Sequence, residues 1–101
     1  MYDMKNLSKL KTLGELAPSA VKAFFAFNDA VFQDGAIPLK YKELIAVAVA
    51  VTTQCPHCIE DHAKRARKAG VSEQELAEAT MVAAALRAGG GVAHAAYVLS
   101  D

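Results

Sequence analysis

Tryptophan is absent from this chain of 101 residues, and aromatic side chains make up only 7% of it. The hydrophobic share is nonetheless 53%, because much of it is alanine, as in residues 46–51 (AVAVAV) and 92–97 (VAHAAY). Alanine favours helix and lets helices approach closely, but each one buries little area. The core that a single short chain can build from it is thin. Further apolar surface is therefore expected to be buried against copies of the same chain.

An excess of charge is missing too: 11 Lys+Arg stand against 11 Asp+Glu, with a pI near 6.8. Such a balance argues against an electrostatic nucleic-acid binder. Long apolar runs are absent as well, since Leu44–Val51 falls far short of the ~20 residues a membrane span needs. The first fifteen residues carry lysines but neither the apolar stretch nor the cleavage site of a signal peptide. The expectation is a soluble cytoplasmic protein that binds neither membrane nor nucleic acid.

Proline is scarce, and each of the three stands where a helix can open: Pro18, Pro38 and Pro56. Leu7–Leu13 reads as a short helix closed by Gly14. Ala20–Gln33 carries apolar residues at Val21, Phe24, Phe25, Ala26, Val31 and Phe32 before Asp34-Gly35 stops it. Residues 45–51 alternate as a buried strand would. They continue from PLKYKELIAV without a turn signal, however, and the resulting segment from Pro38 to about Thr53 is long for a strand. Pro56 opens a helix to Lys68 or Ala69, with Gly70 in the C′ position. Ser72 and Glu75 form a capping box for a helix to about Arg87. Gly89-Gly90-Gly91 is expected to break the chain before a last short helix, Val92–Leu99. With no repeat, linker or low-complexity tail, residues 1–101 read as a single compact all-α domain of five or six helices.

Only two cysteines are present, and both lie in residues 52–62 (TTQCPHCIEDH) with two of the three histidines. In a cytoplasmic chain a C-x-x-C pair points to redox or metal chemistry more than to a structural staple. If Pro56 is the first helical residue, Cys55 is the N-cap and Cys58 sits in the first turn. Unpaired backbone N–H groups there favour an anion, and so the thiolate. Three residues apart on a helix, the two can reach disulfide distance. Steps of ~100° per residue put Cys55, Cys58 and His62 on one stripe, with His57 nearly opposite. His62 is thus placed to take or relay a proton from Cys58. Glu43 could orient His62 if the two helices pack antiparallel, which the short Thr53-Gln54 connection permits. Taken alone, an acid in the first turns of a helix is ordinarily dipole-compatible surface.

Zinc on Cys55, Cys58 and His62 would need a fourth ligand from another segment. Only His94 remains, and it reads as an interior histidine on an Ala-rich face. The basic run Lys64-Arg65-Arg67-Lys68 suits the C-terminal end of its helix and calls for no ligand.

Glu43, eleven residues, Cys55-Pro56-His57-Cys58, three residues and His62 together resemble the signature of the alkylhydroperoxidase D family, within the carboxymuconolactone decarboxylase superfamily. The KELIAVAVA segment before the motif and the AGVSEQELAE segment after it are similar too, so the resemblance covers about residues 38–99. It implies an all-helical subunit assembled into trimers or hexamers and a cofactor-free peroxidase cycle, with neither metal nor flavin. By the family pattern Cys58 attacks the hydroperoxide and becomes a sulfenic acid. Cys55 supplies the proton to the leaving group and then closes the disulfide. His62 and Glu43 match the proton relay, with His57 in support. An external thiol, a lipoyl group in some members, returns the pair to the dithiol. The decarboxylase branch generally lacks the C-x-x-C, so the motif speaks against ring-lactone decarboxylation. Helix geometry by itself would favour Cys55, the cap residue, as the more acidic thiol, whereas the family pattern makes Cys58 the attacking one.

Overall fold

The computed structural model describes residue 6 and residues 8–101. Five α-helices follow one another, α1 (Lys9–Leu16), α2 (Pro18–Val31), α3 (Leu39–Thr53), α4 (Pro56–Lys68) and α5 (Glu73–His94), and a 3₁₀ turn follows at Ala95–Tyr97. No strand occurs among the described residues. The all-α reading holds, and the alternating stretch 45–51 is helix. None of the helices is long and apolar enough to cross a membrane.

The punctuation of the middle of the chain is built as its residues specify. Pro38 lacks the side chain to cap α3, and Asp34 does so from outside, its Oδ1 accepting from Leu39 N at 2.7 Å. At the end of α3, Gln54 takes the left-handed conformation (φ 56°), and Cys55 N donates back to Ala50 O at 3.3 Å. This turn folds α4 back onto α3. α4 closes in a Schellman motif, with Val71 N donating to Ala66 O at 2.9 Å and Gly70 N to Arg67 O at 3.0 Å. Gly70 takes φ 96°, where a side chain would be strained. Both halves of the capping box form: Glu75 N donates to Ser72 Oγ, and Ser72 N to Glu75 Oε1.

Two glycine readings are corrected. α1 runs through Gly14 to Leu16, and Pro18 is the real stop: the residue before a proline avoids the helical region, and Ala17 lies at φ −133°, ψ 61°. Leu7 lies outside the described residues. Likewise Gly89-Gly90-Gly91 does not break the chain, and α5 continues through all three to His94. A glycine costs a helix about 1 kcal/mol against alanine, which is less than the loss of a closed hydrogen-bond ladder flanked by good helix formers. The expected helix Val92–Leu99 is therefore the end of α5 plus the 3₁₀ turn.

The core lies where α3, α4 and the first half of α5 meet, around Val47, Ala66, Val71 and Leu76. α1 and α2 contribute no buried residue, and every residue after Ala83 is exposed. The radius of gyration is 17.0 Å, against about 13 Å for a compact chain of this length. Accessible surface is 7925 Å², whereas a folded monomer of this mass would expose about 5,500 Å².

Candidate active site

Two helices place the chemistry. Cys55 is the N-cap of α4, in extended conformation, and its Sγ accepts from Cys58 N at 3.3 Å. Cys55 and Cys58 are joined as a disulfide, with Cα atoms 5.3 Å apart. One turn further along α4, His62 Nδ1 meets Glu43 Oε2 of α3 at 2.7 Å. The two-residue connection makes α3 and α4 neighbours, so residues nineteen apart in sequence share a hydrogen bond.

Glu43 is 3% exposed, the one charged side chain in the core among the described residues. Burying a carboxylate is costly unless it is paired, and here the partner is His62. An ionised carboxylate only accepts hydrogen bonds, so it selects the tautomer that carries the proton on Nδ1 and leaves Nε2 as the acceptor. That is the geometry of a histidine held ready to receive a proton. The pairing of Glu43 with His62 was offered by the sequence, but the burial of Glu43 was not, since an acid in the first turns of a helix looks like surface.

Two open grooves meet at this point. One, of about 570 Å³, has mostly aliphatic walls from α2 and α3, including Val31, Ile45 and Val49. The other, of about 840 Å³, runs under α1 and α2 and is more polar, with His57, Asp61 and Arg65 on its α4 side. Cys58, His62 and Phe32 line both grooves, while Cys55 lines neither. His57 projects into the larger groove beside Cys58 and is exposed. The stripe reading had pointed it away. A residue next to Cys58 in the first turn nonetheless reaches a groove that extends around the helix start.

His94 stands apart on α5, exposed, with Nδ1 2.8 Å from Gly90 O and its ring 5.9 Å from that of Tyr97. It is not the interior histidine its alanine surroundings suggested, because the end of α5 leaves the core. Among the described residues no three His, Cys, Asp or Glu side chains converge as a metal-ligand set. The basic run at the end of α4 makes ion pairs, Arg65 with Asp61 at 3.0 Å and Arg67 with Glu73 at 2.6 Å. Phe32 is the site residue that sequence reasoning missed. Its ring stacks on His62, but in sequence it is one more apolar residue of α2.

A helical hairpin thus sets a disulfide-joined cysteine pair at one helix start, beside a histidine held by a buried acid. Residues 18–101 match the carboxymuconolactone decarboxylase family. The chain is 44% identical over 103 residues to uncharacterized protein 4 in the cox locus of Paracoccus denitrificans, covering 99% of this chain and 93% of that protein. It superimposes on a solved structure from Methanobacterium thermoautotrophicum with a TM-score of 0.80 at 38% identity, over 85% of this chain and 97% of the other. A carboxymuconolactone decarboxylase family protein from Legionella pneumophila gives a TM-score of 0.75 at 33% identity, over 81% and 73%. Another from Thermotoga maritima, for which a part in an antioxidative response has been suggested, gives 0.61 at 33% identity, over 63% and 66%. The chain belongs to the carboxymuconolactone decarboxylase family.

Proposed function

We propose that this protein is a thiol-dependent peroxidase that reduces hydroperoxides through the Cys55–Cys58 pair and is returned to the dithiol by an external thiol or lipoyl-type donor. The observation that carries the reading is that Cys58 and His62 open together onto both grooves while buried Glu43 holds the other edge of the imidazole. The suggested antioxidative role of the Thermotoga maritima relative supports it.

In the reduced chain His62 Nε2 takes the Cys58 proton. The thiolate attacks the terminal peroxide oxygen, the O–O bond breaks, and the alkoxide leaves as alcohol with the Cys55 proton. Cys58 is then a sulfenic acid. The Cys55 thiolate attacks its sulfur and expels hydroxide, which collects the His62 proton and departs as water. A dithiol donor then reduces the disulfide and is itself oxidised. Glu43 stabilises the imidazolium during the cycle. His57, on the polar groove, supports the exchange at its entrance. No step calls on a bound metal or flavin. The surface exposed beyond that of a compact monomer supports a homo-oligomer as the working form; a trimer or hexamer acting in the cytoplasm is part of the proposal.

The test is intact mass of the reduced protein after seconds of limiting hydroperoxide, with free thiols trapped by alkylation. Wild type is expected to close the disulfide, Cys55→Ser to accumulate the sulfenic acid, and Cys58→Ser to stay inert. A chain that ignores peroxide yet closes its disulfide quickly with a disulfide substrate would instead be a general thiol–disulfide oxidoreductase or a redox sensor.

A further inference from the structure

Phe32 stands out from the other phenylalanines of α2. Phe24, Phe25 and Phe27 are 57%, 53% and 67% exposed, while Phe32, at the C-cap of the helix, is half-buried. Its ring lies on the imidazole of His62, with centroids 5.0 Å apart and planes 24° from parallel. It also lines both grooves and so forms part of the partition between them.

The end of α2 that carries Phe32 is fastened to α3 at the turn that holds the acid. Lys42, the residue before Glu43, donates from Nζ to Val31 O at 2.8 Å, and Asp34 caps Leu39. One segment of α3 therefore holds the edge of the imidazole directly and its face indirectly. A single hydrogen bond at Nδ1 leaves the ring free to pivot about the Nδ1···Oε2 line. A second ring packed on its face removes that freedom and fixes the direction in which Nε2 presents its lone pair.

We propose that Phe32 is a positioning residue for His62, its flat face setting the imidazole plane from which the proton exchange with Cys58 proceeds. The inference rests on the peroxidase reading in that it gives His62 its proton-carrying role. Its test, however, needs no peroxide.

The experiment uses the full chain with Cys55→Ser, so that Cys58 is the one thiol, and follows the rate of iodoacetamide alkylation across pH. Phe32→Leu keeps an apolar side chain but loses the flat face, and Phe32→Tyr keeps the face. The charged groups around the imidazole, Lys42 and Glu43 on α3, Asp29 on α2, and His57, Asp61 and Arg65 on α4, stay the same in both. Phe32→Leu is expected to slow alkylation near neutral pH about tenfold, equivalent to a displacement of the profile by about one pH unit. Phe32→Tyr is expected to restore it, with the nitrogen-15 shifts of His62 changed in the first and retained in the second. A Phe32→Leu profile and His62 spectrum that overlay the parent overturn the proposal. Should Phe32→Leu lose helix, Phe32→Met, which also fills the space without a flat face, answers the same question. A wild-type chain that ignores peroxide while Phe32→Leu still slows alkylation would sink the peroxidase reading and leave the positioning role standing.

Discussion

α3, α4 and the first half of α5 form one region of this molecule, and α1, α2 and the remainder of α5 form another. Both are rich in alanine and branched apolar residues, yet only the first buries them. Among the described residues Val47, Ala50, Ala66, Val71, Leu76 and Ala83 are the buried apolar ones, and all lie in or beside the first region. In the second, Leu16, Phe27, Leu86 and Val92 are 80%, 67%, 69% and 76% exposed. Composition alone does not separate the two. What does is whether helices pack along one another, as α4 and α5 do on α3; α1 and α2 are joined by Ala17 alone and still bury no residue. The site sits on the seam: the first region supplies Glu43, Cys58 and His62, and the second supplies Phe32.

The strongest test of that contrast is Glu43, the buried charged residue of the first region. Glu43→Ala leaves Nδ1 of His62 without its partner. It is expected to cost about 3 kcal/mol, in line with removing one member of a buried pair, read as a lower denaturation midpoint at unchanged m-value. Glu43→Gln keeps a hydrogen-bonding side chain and is expected to fold, while Cys58 oxidation by peroxide slows about 100-fold, the lower end of what a positioned proton carrier contributes. An unchanged oxidation rate in Glu43→Gln would remove the acid from the relay.

Next in size is a pair of identical changes, one in each region. Ala66 is 0% exposed, so Ala66→Leu must push neighbouring atoms aside and is expected to cost about 1–3 kcal/mol. Ala84 is exposed, so Ala84→Leu is expected to lie within about 0.5 kcal/mol of wild type. Equal penalties at the two positions, measured in parallel denaturant titrations, would mean that a second chain packs on α5.

How much of this was legible in the residues follows from the same division. Pro18, Pro38, Pro56, Gly70, Ser72 and Glu75 act through backbone geometry and local hydrogen bonds, so their effects can be read from a few neighbouring letters. The stripe of Cys55, Cys58 and His62 follows from helical spacing alone. Glu43 was legible as a candidate but its burial was not, because burial depends on α4 arriving from beyond the turn. Phe32 was illegible because nothing local distinguishes it from Phe24 or Phe25. The three glycines of α5 misled for another reason: a breaker expresses a preference of about 1 kcal/mol per residue, which a helix with intact flanks overrides.

Those glycines give a smaller test. A Cβ placed on Gly90 meets nothing within 4 Å in this chain. Gly90→Ala is expected to stabilise by about 1 kcal/mol through helix propensity, seen as a rise in thermal midpoint. A fall in midpoint accompanied by a smaller assembly in light scattering would place a partner's backbone against that turn.

The smallest effect belongs to the capping box at the start of α5, within the first region. The Ser72 backbone N–H, followed by the Lys40 ammonium 3.6 Å away, holds the Glu75 carboxyl below the usual carboxylate range. A carboxyl that is more acidic in the folded chain stabilises the fold above its ordinary value of 4.5 and loses that contribution as pH falls through the lowered one. Glu75→Gln keeps a side-chain acceptor for Ser72 N but cannot ionise, so it is expected to flatten the acid limb of the stability profile below about pH 4.5. Ser72→Ala removes the bond from Glu75 N to the hydroxyl but leaves the one from Ser72 N to Glu75 Oε1. It is expected to cost about 1 kcal/mol, the worth of an N-cap, at every pH while keeping the acid slope. Two denaturation series from pH 3 to pH 7 separate the hydroxyl from the charge. Identical slopes in the Glu75→Gln and wild-type series would move the acid sensitivity of the fold to another carboxyl, with Glu73, lowered in the same direction by Arg67, the next to examine.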